Sequence, residues 1–462
     1  MTKSSNNISS TKGGTYAWFV VFVLCLTSIF AYLDRQIINL LVEPIKIDLG
    51  INDTQIGLLT GFSFALLYVV AAIPIAWIAD FGNRTRVITI GIFCWALATF
   101  FCGFATTFLL MFIARTLVGL GEATLAPSGY SLLGDYFSKE KVGLAISCFT
   151  GSGFLGGGLA YIIGGQIVGT LSQFDSYTLP LIGMVKPWQL AFMVVAIPGL
   201  LLVLLMQFVK EPPRSSAIDS KLVKLNARNS FAALFAYIHD NLRLFAGLFF
   251  GLAIMASATF SIMNWMPEYM SRSFGWSPQK FGNIFGSIIL VVSPGGVFSG
   301  GLIASVWMQR GGHGANIFVP VIAAILAAIL GFMFFNASNA HQAILFGIPT
   351  VFFAAMPFGC GTAALPLVTP NRLRAQVVAI YLLCANLLGL TLGPTAVGVM
   401  TDYIYKDESR LGDAIGLIAP VFYILGAIII CFAVAPYIKI IKSQETVPVF
   451  RKPIKTKQLE SS

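Results

Sequence analysis

Apolar segments of about 20 residues recur along nearly the whole chain, each long enough to cross a hydrocarbon core of about 30 Å. In lipid the backbone must satisfy its own N–H and C=O groups, so such segments fold as helices. Reading apolar runs against turn and charge punctuation gives twelve spans. They lie roughly at 16–41, 55–79, 86–105, 108–134, 142–170, 188–209, 243–271, 279–308, 315–336, 342–367, 373–402 and 414–438. The chain has 462 residues, 57 % of them hydrophobic and only 10 % charged, too little polar surface for soluble domains of that size. An all-α membrane protein is expected.

One sizeable polar interruption, from Lys210 to His239, divides six spans from six. The expected organisation is a tail (1–15), a six-helix bundle (16–209), a linker (210–242), a second bundle (243–438) and a basic tail (439–462). The linker is expected to carry a short amphipathic helix at 220–237 on the membrane face. Internal repetition is weak but present. AWIADFGNRTR (76–86) follows the second span, and GGLIASVWMQRGG (300–312) follows the eighth. Both join a small-residue helix end to a short loop and an Arg. Glycines crowd the fifth span (151, 153, 156, 157, 158, 164, 165, 169) and the eleventh (389, 393, 398), where small residues let helices approach closely in lipid. Gly151 to Gly156 also matches G-x-G-x-x-G. A dinucleotide site needs a preceding strand and an exposed helix start, and this run lies mid-helix, so it reads as packing.

The net charge is +10, and its distribution explains it better than nucleic acid does. Of 29 Lys and Arg, 21 fall in the two tails, the linker and the loops expected on one side; six lie in the opposite loops. The positive-inside rule then places both termini in the cytoplasm. The seven cysteines all fall within spans and read as packing residues. Three isolated histidines have no metal-ligand spacing, and the polar N-terminus has no signal-peptide organisation.

The two remaining cations, Arg35 and Arg115, lie inside spans with Asp34 and Glu122. Charge at membrane depth is costly and marks function by default. Asp34 and Arg115 each lie seven residues from the expected outer end of their span, roughly 10 Å below that surface. Glu122 is two turns deeper on nearly the same face as Arg115. The expectation is a polar track in which Asp34 takes up a proton, with Glu122 as second site. Arg115 or Arg35 serves as counter-ion and as the group for an anionic substrate head. The competing reading is a static Asp34–Arg115 ion pair joining two helices. Arg35 points about 100° away from Asp34 around the helix, toward another helix or the interface. At the cytoplasmic ends Asp80, Arg84 and Asp135 form an expected gate, with Asp80 facing the start of the eleventh span across the two halves; solvated helix-end charges are the alternative. Spans 7–12 hold no cation or His at depth. Their cavity candidates are neutral: Thr259, Asn264, Thr362, Tyr381 and Asn386.

These residues carry a resemblance. Asp80-Phe-Gly-Asn83-Arg84-Thr-Arg86 resembles the loop signature of the major facilitator superfamily, and Arg115-x-x-x-Gly119-x-Gly121-Glu122-Ala123 resembles its helix-4 motif. Tyr32-Leu-Asp34-Arg35, Val42-Glu-Pro44-Ile and the GEA at 121–123 resemble the spinster branch, which includes lysolipid and sphingosine-phosphate transporters. The resemblance implies the superfamily fold, two pseudo-symmetric six-helix bundles. It also implies that Asp34, Arg35 and Glu122 are the functional charges. Two departures stand out: Phe81 where the signature has Arg, and Ser305 in place of the acid in the second-half copy.

The expected function is secondary transport by alternating access, proton-coupled, of an amphipathic lysolipid-like or sphingolipid-like solute. Small organic anions and drug efflux are the alternative transport readings, and a non-transporting receptor the alternative of another class. No nucleophile constellation, metal cluster, P-loop or channel filter stands out, so no enzyme, ATP-driven pump or channel is expected. The expected partners are the bilayer, protons and a small solute, without nucleic acid or cofactor, on a monomer in a bacterial inner membrane.

Overall fold

The computed structural model describes residues 13–138, 140–180, 182–213, 232–370 and 372–446, apart from the side chains of 80, 81, 375 and 444–446. Among them are twelve helices long and apolar enough to cross a membrane. They are α1 (Thr15–Leu40), α2 (Asp53–Ala79), α3 (Arg84–Cys102), α4 (Phe108–Tyr136), α5 (Val142–Leu171) and α6 (Pro187–Met206) in the first half. The second half holds α7 (Leu242–Phe274), α8 (Pro278–Gln309), α9 (Ala315–Phe335), α10 (Ala340–Val368), α11 (Gln376–Tyr405) and α12 (Glu408–Cys431). The first eleven expected spans match these within three residues; the twelfth, expected at 414–438, begins six residues and ends seven residues later than α12. The expected linker helix at 220–237 falls mostly outside the described residues, and the sequence-based domain limits at 210 and 242 bracket that gap. Large apolar side chains such as Phe22, Val70, Val291 and Phe298 stand exposed around the barrel, as a lipid-facing belt requires.

An even number of crossings puts both ends of the bundle on one face, here the terminal face; the opposite face is the distal one. Helix packing repeats between the halves. In the first, α1 packs on α5, α2 on α4, and α3 on α4 and α6; in the second, α7 packs on α11, α8 on α10, and α9 on α10 and α12. Each contact is reproduced by adding six to both helix numbers. The contacts between halves obey the same symmetry, α2 with α11 and α5 with α8.

Both cross-half seams lie near the distal ends of α2 and α8, and in both helices the seam includes a short π-helical stretch, Leu58–Phe62 and Gly282–Gly286. A Cβ on Gly61 would lie 2.0 Å from the Leu390 carbonyl oxygen of α11, and one on Gly282 would lie 2.2 Å from that of Tyr161 in α5. Only glycine admits backbones this close. The fifth-span glycines read as packing behave so: Gly158 and Gly165 lie against the backbone of α8. A short hairpin of β1 (Tyr177–Leu179) and β2 (Gly183–Val185) decorates the distal face. Beside it Asp48 accepts from Trp188 Nε1 at 2.8 Å and pairs with Lys186.

Candidate functional site

The first turn of the site is set by a change in α1. Its α-helical ladder closes with Ile37 N–H on the Leu33 carbonyl, and the chain continues as a 3-10 turn, Ile37–Leu40. The Asp34 and Arg35 carbonyls just before the change accept from Arg115 of α4, Nη1 and Nη2 respectively, each at 3.0 Å. The expected ion pair between the Asp34 carboxylate and the Arg115 guanidinium is therefore not the contact formed. Arg115 spends both terminal nitrogens on backbone that the helix transition leaves available.

Arg35 instead takes the carboxylate. Its Nη2 donates to Glu122 Oε2 at 2.5 Å. The guanidinium also lies over three aromatic rings: Phe64 at 4.2 Å from the centroid, Tyr32 at 5.1 Å and Tyr68 at 5.5 Å. Such faces attract a cation. The Arg35 side chain keeps 15 % exposure, whereas Glu122 behind it is buried. Asp34 and Arg115 are buried as well. The carboxyl of Asp34 faces Trp95 and Thr99 of α3, a helix in which the sequence singled out only Arg84, at its terminal end. Both side chains are fully buried, at i and i+4 on one helix face. The four charges thus form one cluster with Arg35 at its open edge.

The second-half candidates are less concentrated. Thr259 shares a hydrogen bond of 3.0 Å with Tyr423. A small cavity is lined by Leu252, Met255, Thr259, Phe358 and Tyr381 among others. Asn264 is buried and accepts from Asn39 of α1 at 3.3 Å, so it joins the halves rather than lining that cavity. Asn386 donates to the Leu382 carbonyl of its own helix, and Thr362 is bonded to its own helix too.

At the terminal face Arg84 reaches Asp135 Oδ2 at 2.5 Å, the Ser131 carbonyl at 3.0 Å and Glu211 Oε1 at 2.7 Å. Asp135 and Ser131 belong to the first half and Glu211 to the start of the linker, so this part of the expected gate ties α3, α4 and the start of the linker together. Asp80, on which a latch between the halves depends, has its side chain outside the described residues.

A second charged cluster, not singled out in the sequence, joins the halves at the distal face. Arg272 of α7 donates to Asp53 of α2 through two nitrogens, at 2.8 and 3.0 Å, to Glu268 at 2.7 Å and to Glu43 at 3.5 Å. Lys46 reaches Asp53 at 2.6 Å and Glu408 of α12 at 2.8 Å. Asp402 of α11 accepts from the backbone N–H of Thr54 at 2.6 Å and from its hydroxyl. In the sequence these are ordinary charges at span ends, and only the fold shows that they converge.

Two pseudo-symmetric bundles around an intramembrane charge cluster define a secondary transporter of the membrane. The chain belongs to the Major Facilitator Superfamily, whose family model matches residues 24–394. It is 26 % identical over 452 residues to an MFS-type efflux pump of Mycolicibacterium smegmatis, covering 92 % of this chain and 94 % of that one. It is 25 % identical over 410 residues to protein spinster homolog 1 of Xenopus tropicalis, covering 84 % and 74 %. It is 24 % identical over 427 residues to the probable galactarate/D-glucarate transporter GudP of Escherichia coli, covering 86 % and 90 %. Among solved structures, a bacterial homologue of the human lysosomal transporter Spinster, inward-facing and unoccupied, shares the fold with a TM-score of 0.73. It is 24 % identical, with 93 % of this chain and 98 % of that one covered. The resemblance to spinster proteins read from the first-half motifs thus extends over most of the chain. These relatives and this fold are those of transporters, which are not enzymes.

Proposed function

We propose that this chain is a proton-coupled carrier of an amphipathic, lysolipid-like solute, working by alternating access in a bacterial inner membrane with both termini in the cytoplasm. The observation that carries this reading is the Arg35–Glu122 pair, buried but for the 15 % exposed Arg35 side chain and seated on three aromatic rings. Arg35 is a group that an anionic head can draw away from Glu122, and Glu122, losing its counter-ion, becomes a proton acceptor. Asp34, buried beside it, is the first proton site, and Glu122 the second. The second-half helices α7 and α10 offer Leu252, Met255 and Phe358, an apolar wall for a hydrocarbon tail. The distal seams and ion pairs hold the distal side closed, which in this reading is the side away from the cytoplasm. No cofactor other than the proton gradient is required.

The similarity to galactarate/D-glucarate transporters favours a second reading, a small sugar acid bound by Arg35 without the apolar wall. The test is proton movement in sealed proteoliposomes on adding lysophosphatidylcholine or galactarate. A response to the lipid, lost in Asp34→Asn and Glu122→Gln, supports the main reading. A response to galactarate alone moves the substrate to the second. A lipid response that survives both substitutions removes the proton assignment.

A further inference from the structure

The proton site of this chain extends to α3, and we propose that Thr99 and Trp95 are positioning residues that hold and tune the Asp34 carboxyl. The proposal rests on the reading of Asp34 as a proton site. Its ground is geometric. Asp34 lies in a buried pocket where the nearby guanidinium, Arg115, is committed through Nη1 and Nη2 to the carbonyls of Asp34 and Arg35, with only its Nε left without a partner. The other charged and titratable groups facing the pocket are Glu122 from α4, Arg35 on α1 itself and the Cys102 thiol of α3. Arg35 is engaged with Glu122. What faces the Asp34 carboxyl directly is the indole of Trp95 and the hydroxyl of Thr99. Among the described residues, no hydrogen bond of normal geometry satisfies Asp34 Oδ2, Trp95 Nε1 or Thr99 Oγ1, although all three atoms are buried. Three unsatisfied polar atoms from two helices, converging in an apolar interior, stand poised to pair with one another. Hydrogen bonds at functional sites commonly tighten only in the working complex.

The two donors differ in kind. An indole N–H only donates, so Trp95 supports a carboxyl oxygen that carries charge or a free lone pair. A hydroxyl donates and accepts. Thr99 therefore donates its hydrogen to the ionised carboxylate and, once a proton arrives on Asp34, turns to accept from the carboxylic acid. The pair gives Asp34 a partner in both states without a fixed cation, which a carboxyl that must load and unload a proton requires. A permanent Arg partner would hold it ionised.

The test is the carboxyl infrared band of the full-length protein in lipid nanodiscs, titrated with pH, with Asp34→Asn identifying the Asp34 component. Hydrogen bonds to a charged group correspond to about one to two pH units. Removing a donor to the ionised form favours the protonated form, so Thr99→Val and Trp95→Phe move the midpoint up by that amount. Thr99→Ser, which keeps the hydroxyl, leaves it near the wild-type value. An Asp34 band whose midpoint is unmoved in Thr99→Val and Trp95→Phe overturns the proposal and leaves the proton site standing. So does a Thr99→Ser midpoint shifted as far as that of Thr99→Val, because volume rather than the hydroxyl then matters. If no titrating component is lost in Asp34→Asn, the proton-site reading and this proposal fail together.

Discussion

Replacing Arg272 by Gln removes the residue on which the distal closure converges. Its guanidinium makes two bonds to Asp53, one to Glu268, a longer one to Glu43 and one to the Glu408 carbonyl at 3.2 Å. Asp53 is fully buried and Glu268 nearly so, so the substitution leaves one carboxylate without any cation and the other with Lys46 alone. Breaking a buried pair by deleting one partner costs about 3–5 kcal/mol. Glu43 is half-exposed and adds little. The penalty falls on the closed distal state, because in the open state water reaches the same carboxylates. Taking about 3 kcal/mol, the ratio of closed to open falls by roughly two orders of magnitude. Spin labels at Ile47 and Lys406, both exposed and in opposite halves, report the separation by pulsed electron resonance once the native cysteines are replaced. The wild type gives mainly the short distance, and Arg272→Gln gives mainly a longer one. Lys46→Met, which loses Asp53 and the exposed Glu408, shifts it less. An unchanged distribution in Arg272→Gln would refute the claim that this cluster holds the distal side shut.

Two other outcomes follow from packing and from the terminal cluster. Gly61→Ala and Gly282→Ala place a methyl group 2.0 and 2.2 Å from a carbonyl oxygen. Each is expected to lower transport at least about tenfold at normal expression, and normal transport rates in proteoliposomes would count against the seam. Arg84→Ala strips cation contacts from Asp135 and Glu211, both partly solvated, and is expected to destabilise the first half by about 1–3 kcal/mol. A thermal scan of purified protein reads this, and an unshifted transition would show that the cluster contributes nothing.

The twelve helices were legible because lipid imposes length and apolarity together, and the division into halves because only one polar stretch is long enough to break the series. The charge cluster was legible as a set of residues, but its pairing was not. Periodicity places Arg35 about 100° from Asp34 without saying which helix it meets. The partner of Arg115 depended on the change from α-helix to 3-10 turn at Ile37, which no residue in IINL announces. Thr99 and Trp95 sit in an apolar run where a hydroxyl and an indole are unremarkable, and their meaning comes from the helix opposite. Lys46 and Asp53 lie seven positions apart, but Arg272 lies 219 positions beyond Asp53, so only tertiary packing brings it to them.

The makeup of the intramembrane cluster has an electrical consequence. On the proton-coupled reading proposed above, Asp34, Glu122, Arg35 and Arg115, all ionised, sum to zero, so the empty and unprotonated carrier moves no net charge on these groups. One added proton makes the moving unit positive, and a monoanionic solute beside it returns the sum to zero. A zwitterionic solute leaves it at +1. Each elementary charge carried across 100 mV is worth about 2.3 kcal/mol. On that reading the membrane potential drives the loaded step for a zwitterion and is silent for a monoanion, and the presence or absence of a transport current reads out the charge of the solute before its identity is known.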